Sequence, residues 1–84
     1  MKRFGKVDRN HADIVDALRK CGWLVRSLAS QGDGFPDLVV ARGAVVRLVE
    51  VKAGRGSLTG AQQQFMADGW PVTIVRSVDD VLEL

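Results

Sequence analysis

Three side chains, Asp37, Glu50 and Lys52, have the types and spacing for phosphoryl chemistry. They lie within Gly34 to Lys52, GFPDLVVARGAVVRLVEVK, where two runs rich in Val and Leu, Leu38 to Val40 and Val45 to Val51, flank a glycine. Gly43 offers the φ > 0 that a two-residue type II′ turn requires, so the stretch reads as a β-hairpin. With Gly43 and Ala44 in the turn, Arg42 faces Val45, Val40 faces Arg47, Leu38 faces Val49 and Asp37 faces Glu50. Directly opposed residues hold their Cβ atoms about 4.5–5.5 Å apart, and like charges at that separation destabilise the pair. Something positive must sit between the two carboxylates. Lys52 lies two residues beyond Glu50 and shares its face; a hard divalent cation held by the carboxylates and waters answers the same need. Such a cation polarises a phosphate oxygen and acidifies a bound water, which a lysine can position or deprotonate.

The plainer reading is a surface salt-bridge cluster on a strand. Against it stands the neighbourhood. On the same face Val39 opposes Leu48 and Ala41 opposes Val46, so the charges continue an apolar stripe. Charge at an apolar edge is better explained by mutual pairing or a metal than by solvation.

Pro36-Asp37, thirteen positions to Glu50, then Val51-Lys52, resembles the PD-(D/E)XK nuclease signature. Gly34-Phe35-Pro36-Asp37-Leu38, Val49-Glu50-Val51-Lys52-Ala53, Leu58-Thr59 and Gln62 together resemble the virus-type replication-repair nuclease (VRR-NUC) domain over nearly the whole chain. The resemblance implies a Mg²⁺- or Mn²⁺-dependent DNA endonuclease. Asp37, Glu50 and the backbone carbonyl of Val51 would hold the metal, Lys52 would orient or activate water, and Gln62 would assist. Small stand-alone members resemble Holliday-junction resolvases of bacterial viruses, which implies a homodimer acting on branched, four-way DNA. Many relatives place a glutamate on the first helix as a further carboxylate. This chain has none there, and His11, Asp13 or Asp16 are candidates to replace it, although aspartates near a helix start also complement the dipole. The rival function keeps the fold without catalysis, as a nucleic-acid-binding module or a partner-dependent one.

The elements that must position these residues follow from periodicity. Ile14, Ala17, Leu18 and Cys21 repeat at helical spacing from about Asn10, where Asn10 and Asp13 can cap, to Gly22, which stops the helix. Trp23 to Ser30 reads as a first strand, and Gln31 to Gly34 as a loop. Gly34 is either a plain turn residue or one whose side chain would obstruct DNA; Asp33 is a secondary ligand or a structural loop aspartate. Pro36 cannot donate to a ladder and so begins the hairpin. Ala53 to Ser57 is a loop whose Arg55 suits a phosphate contact. A helix follows over Gly60 to Asp68, with a Thr59/Gln62 capping box, so Gln62 has both a structural and a catalytic explanation. Phe65 and Met66 are expected to face the core. Trp70-Pro71 turns the chain into a short strand, Val72 to Val75, parallel to its predecessor after a right-handed crossover. Ser77 and Asp80 cap a last short helix whose Val78, Val81 and Leu82 pack on the core or seal a dimer. The expected fold class is α/β: a restriction-endonuclease-like αβββαβ core with a mixed sheet flanked by helices.

Eighty-four residues allow one small domain with a modest core, which dimerisation would help to stabilise. The composition, 46% hydrophobic and 26% charged, excludes disorder. One cysteine, Cys21, excludes an internal disulfide, and with a single His11 it excludes a conventional zinc site. A reducing cytoplasm is the expected setting, since no apolar leader core follows the basic start and no run reaches the ~18 apolar residues of a membrane span. The net charge of +2 is uneven: Lys2, Arg3, Lys6 and Arg9 form a basic N-terminal arm over residues 1–9, and Asp79, Asp80 and Glu83 an acidic end. The arm is either a phosphate contact or a solvated terminus.

Overall fold

The computed structural model describes residues 4–84, with side chains from Asn10 onward. Its elements run α1 (Phe4–Lys20), β1 (Leu24–Ser27), β2 (Leu38–Arg42), β3 (Val45–Val51), α2 (Gly60–Ala67), β4 (Val72–Val75) and α3 (Val78–Val81). The described residues form one four-stranded sheet in the order β1-β2-β3-β4, antiparallel except for the β3–β4 pair, which is parallel. This is the α/β, mixed-sheet αβββαβ arrangement expected, with one short helix added at the end.

The hairpin holds the expected register: Arg42 pairs with Val45, Val40 with Arg47 and Leu38 with Val49. Gly43 carries φ +61° while Ala44 stays out of the left-handed region, as a II′ turn demands. Alternation then sorts the strands into two faces. Leu38, Val40, Val49 and Val75 point to one side and pack with Ile14 and Leu18 of α1, Trp23, and Val81 of α3. Each such side chain stabilises the fold by about 1.5–3 kcal/mol relative to exposure. Asp37, Val39, Ala41, Leu48 and Glu50 belong to the opposite side, where α2 lies.

Three expectations need correction. The first helix starts at Phe4, not near Asn10, so the supposed arm over 1–9 is helical from Phe4; Lys2 and Arg3 lie outside the described residues. In the sequence Val7, Ile14 and Leu18 already share one helical period, so the helical pattern reaches back past Asn10. The first strand is shorter, Leu24–Ser27, because Trp23 completes the helix stop instead. Its N–H donates to Leu18 O and that of Gly22 to Arg19 O, the paired bonds of a Schellman motif, with Gly22 at φ +91°. Finally, Phe65 is buried outside the main core, between Phe35 and Trp70 on the α2 side of the sheet.

Candidate active site

The ladder between β2 and β3 ends at Leu38 and Val49, and the next residues outward are Asp37 and Glu50. Asp37 is anchored by backbone: its Oδ2 accepts the Val51 N–H at 2.8 Å, and its own carbonyl accepts the Leu28 N–H at 2.7 Å. Glu50 is 3% exposed. Lys52 follows the end of β3, its N–H donating to Val75 O at 3.1 Å and its Nζ 3.5 Å from Glu50 Oε2. A cation is therefore present beside Glu50 as a side chain.

Gln62 reaches the same carboxylate from α2. Its Oε1 accepts the Thr59 N–H at 2.9 Å while Thr59 Oγ1 accepts the Gln62 N–H at 3.1 Å, completing the capping box. Because the Thr59 amide can only donate, the Gln62 oxygen must face it, and the NH₂ is left to donate to Glu50 Oε2 at 2.9 Å. The cap and the site contact are thus two ends of one amide. The structural explanation that the sequence offered for Gln62, the capping box, is present, and the same side chain also reaches Glu50.

Gly34 determines whether α2 can come this close. It has φ +79°, and a Cβ there would collide with the Ala61 carbonyl. The loop before Pro36 consequently lies directly on the first turn of α2, which sets Gln62 over Glu50. Between them remains a cavity of only about 10 Å³, lined by Gly34, Pro36, Glu50, Gln62 and Phe65 among others. The role of this glycine is therefore close packing of backbone on backbone.

A contact that the sequence reading missed comes from Arg76. Its guanidinium donates to the carbonyls of Gly54 and Gly56 at 3.0 and 2.8 Å, tying down the turn that follows Lys52. Its backbone N–H donates to Asp80 Oδ2 at 2.7 Å, which joins this tie to the cap of α3. Only its place one residue after a strand parallel to β3 could have signalled this. Arg55, on the same turn, is exposed.

Burial raises the Glu50 carboxyl above the ordinary carboxylate range; the negative charge of Asp37 adds to the shift, and the positive charge of Lys52 opposes it. Glu50 Oε1 is buried and has no hydrogen-bond partner. An unpartnered buried carboxylate oxygen is costly, and here it sits beside a second carboxylate. This is a donor set that suits a small hard cation. Mg²⁺ in particular uses one or two carboxylates and completes its shell with waters and substrate phosphate oxygens.

Asp37, Glu50, Val51, Lys52 and Gln62 are thus brought together. The first-helix candidates are not part of this group. Asp16 pairs with Lys20 at 3.0 Å, Asp13 is exposed, and α1 packs on the opposite face of the sheet from Glu50. Asp33 is exposed at φ 52°, within the turn closed by Phe35 N–H to Gly32 O. Among the described residues, no cluster of three or more His, Cys, Asp or Glu side chains could hold a metal, so the carboxylate donors here number two. No helix among the described residues is long and apolar enough to cross a membrane. No protein-family model, curated protein or solved structure matches the chain.

Proposed function

We propose that the chain is a Mg²⁺- or Mn²⁺-dependent deoxyribonuclease that hydrolyses phosphodiester bonds at the Asp37–Glu50–Lys52 cluster. The observation that carries this reading is Glu50: a buried carboxylate with one unpartnered oxygen, next to Asp37, one residue before the end of β3. The resemblance of the surrounding motifs to VRR-NUC nucleases supports it.

Asp37, Glu50 and the Val51 carbonyl would hold the cation. When bound, it supplies charge to a phosphate oxygen and acidity to a water. Lys52, within ion-pair distance of Glu50, orients the attacking water and stabilises the charge gathering on the phosphate. Gln62 keeps Glu50 aimed by fixing Oε2, which leaves Oε1 as the free donor. Val51 holds Asp37 in the same way through its N–H. Arg76 fixes the turn carrying the exposed Arg55, which in this reading would contact a neighbouring phosphate.

The substrate in this reading is branched DNA, cut by a homodimer in the manner of a Holliday-junction resolvase. Support for a second copy comes from the part of the sheet face that α2 leaves open, where Leu24 is 74% and Val46 66% exposed. A reducing, cytoplasmic setting belongs to the same reading.

The test is cleavage of labelled four-way junction, flap, single strand and linear duplex with Mg²⁺, Mn²⁺ or EDTA. Wild type is expected to cut at least one branched substrate in metal only, and Lys52→Ala to be slower by about 10²-fold or more. Binding of DNA with no cleavage of any substrate would favour the non-catalytic module, and cutting of flaps alone would discard the junction role.

A further inference from the structure

Three of the five aromatic residues of this chain gather in one place outside the main core. Phe65 is buried between Phe35 and Trp70, with ring centroids 5.1 Å from the first at a tilt of 51° and 5.5 Å from the second at 19°, nearly parallel. Its two neighbours are far from buried: Phe35 is 44% and Trp70 55% exposed. A buried ring thus braces two rings whose outer surfaces meet solvent. For an 84-residue chain with a small core this is an unfavourable use of its largest apolar groups.

The position of this ladder suggests what the rings are for. Phe35 precedes Pro36 and Asp37 in the chain, and Phe65 lies one helical turn beyond Gln62 on α2. Phe65 and Glu50 also line the same small cavity. The aromatic surface therefore begins at the edge of the carboxylate site and runs outward from it to Trp70.

We propose that Phe35 and Trp70 form a stacking platform for an unpaired DNA base next to the phosphate held at Asp37 and Glu50. This rests on the nuclease reading and names its substrate class. A base inside a duplex has both faces covered by its neighbours and cannot use an exposed ring. An unpaired base offers a free face, and every base type has one, so the platform selects structure and not sequence. The site then acts on strands with unpaired nucleotides beside the scissile bond, at the opened centre of a branched junction, a flap or a frayed end, in preference to continuous duplex.

The experiment measures binding by anisotropy in Ca²⁺, using a labelled oligothymidine strand and a blunt duplex of equal length, with wild type, Trp70→Ala, Trp70→Phe and Phe35→Ala. Thermal melting of each variant confirms folding, and sedimentation velocity reports its oligomeric state. The expected result is a loss of roughly tenfold or more in single-strand affinity for Trp70→Ala, a similar loss for Phe35→Ala, recovery in Trp70→Phe, and unchanged duplex affinity. Equal effects on strand and duplex, or no effect on either, would overturn the platform. So would a Trp70→Ala variant that merely loses self-association, since the rings would then be an interface between copies. Cleavage is scored separately. Wild type that fails to cut but shows Trp70-dependent strand binding keeps the platform and removes hydrolysis; wild type that cuts normally without Trp70-dependent binding does the reverse.

Discussion

The two faces of the same sheet are built to opposite ends, although their residues alternate along the same strands. On one face Leu38, Val40, Val49 and Val75 meet α1 and α3, and every one of them is buried among apolar groups. On the other, α2 covers part of the surface, leaves Leu24 and Val46 in solvent, and presses Gln62 onto a buried glutamate with an unpartnered oxygen. A shift of one residue in register would exchange these faces. Stability is thus concentrated on the α1 side, and the α2 side carries a buried, partly unpartnered carboxylate that weakens the fold, a cost that the proposed nuclease reading explains.

The comparison breaks most visibly on the stable face. Leu18→Ala removes a fully buried side chain from the packing of α1 on the sheet and is expected to cost about 2–5 kcal/mol, measured by urea unfolding. A cost below 1 kcal/mol would mean that this face does not hold the fold together. Next is Gly34→Ala, at the junction of the loop and α2. The φ of +79° and the collision with Ala61 make it unfavourable twice over, with a loss of about 1–2 kcal/mol for the backbone conformation alone. Because the same collision lifts Gln62 away from Glu50, cleavage should fall more steeply than stability. Equal stability and activity to wild type would show that α2 is not seated by this contact.

Much of this was legible in the sequence because it depends on neighbours in the chain. Gly43 and the alternation around it dictated the hairpin register, and with it the meeting of Asp37, Glu50 and Lys52. Thr59 and Gln62 announced their capping box by spacing alone. What escaped depends on which remote surfaces meet. Asn10 and Asp13 resemble a helix start, yet the helix runs through them from Phe4. The apolar character of Phe65 said that it would be covered, but not that Phe35 and Trp70 would cover it on the side of the sheet away from Ile14 and Leu18. The clamp of Arg76 on Gly54 and Gly56 joins residues 22 and 20 positions apart, and nothing local in the sequence signals it. The contact of Gln62 with Glu50 was to be expected only through the resemblance, because the partner of its NH₂ lies 12 positions away.

The most direct measurement is Glu50→Gln, followed by unfolding free energy across pH and by metal-dependent cleavage in parallel. Folded Glu50 holds its proton to higher pH than the unfolded chain does, chiefly through burial and then through Asp37. The native state therefore binds more protons in the interval between the ordinary carboxylate value and the raised one. Stability from this group is present below that interval and lost as pH rises through it. The glutamine keeps the shape and removes the charge, so the variant should be more stable than wild type near neutral pH, with a flatter pH dependence, and should not cleave. A variant that is less stable at neutral pH and still cuts would contradict the claim that this carboxylate is retained for chemistry at the expense of the fold.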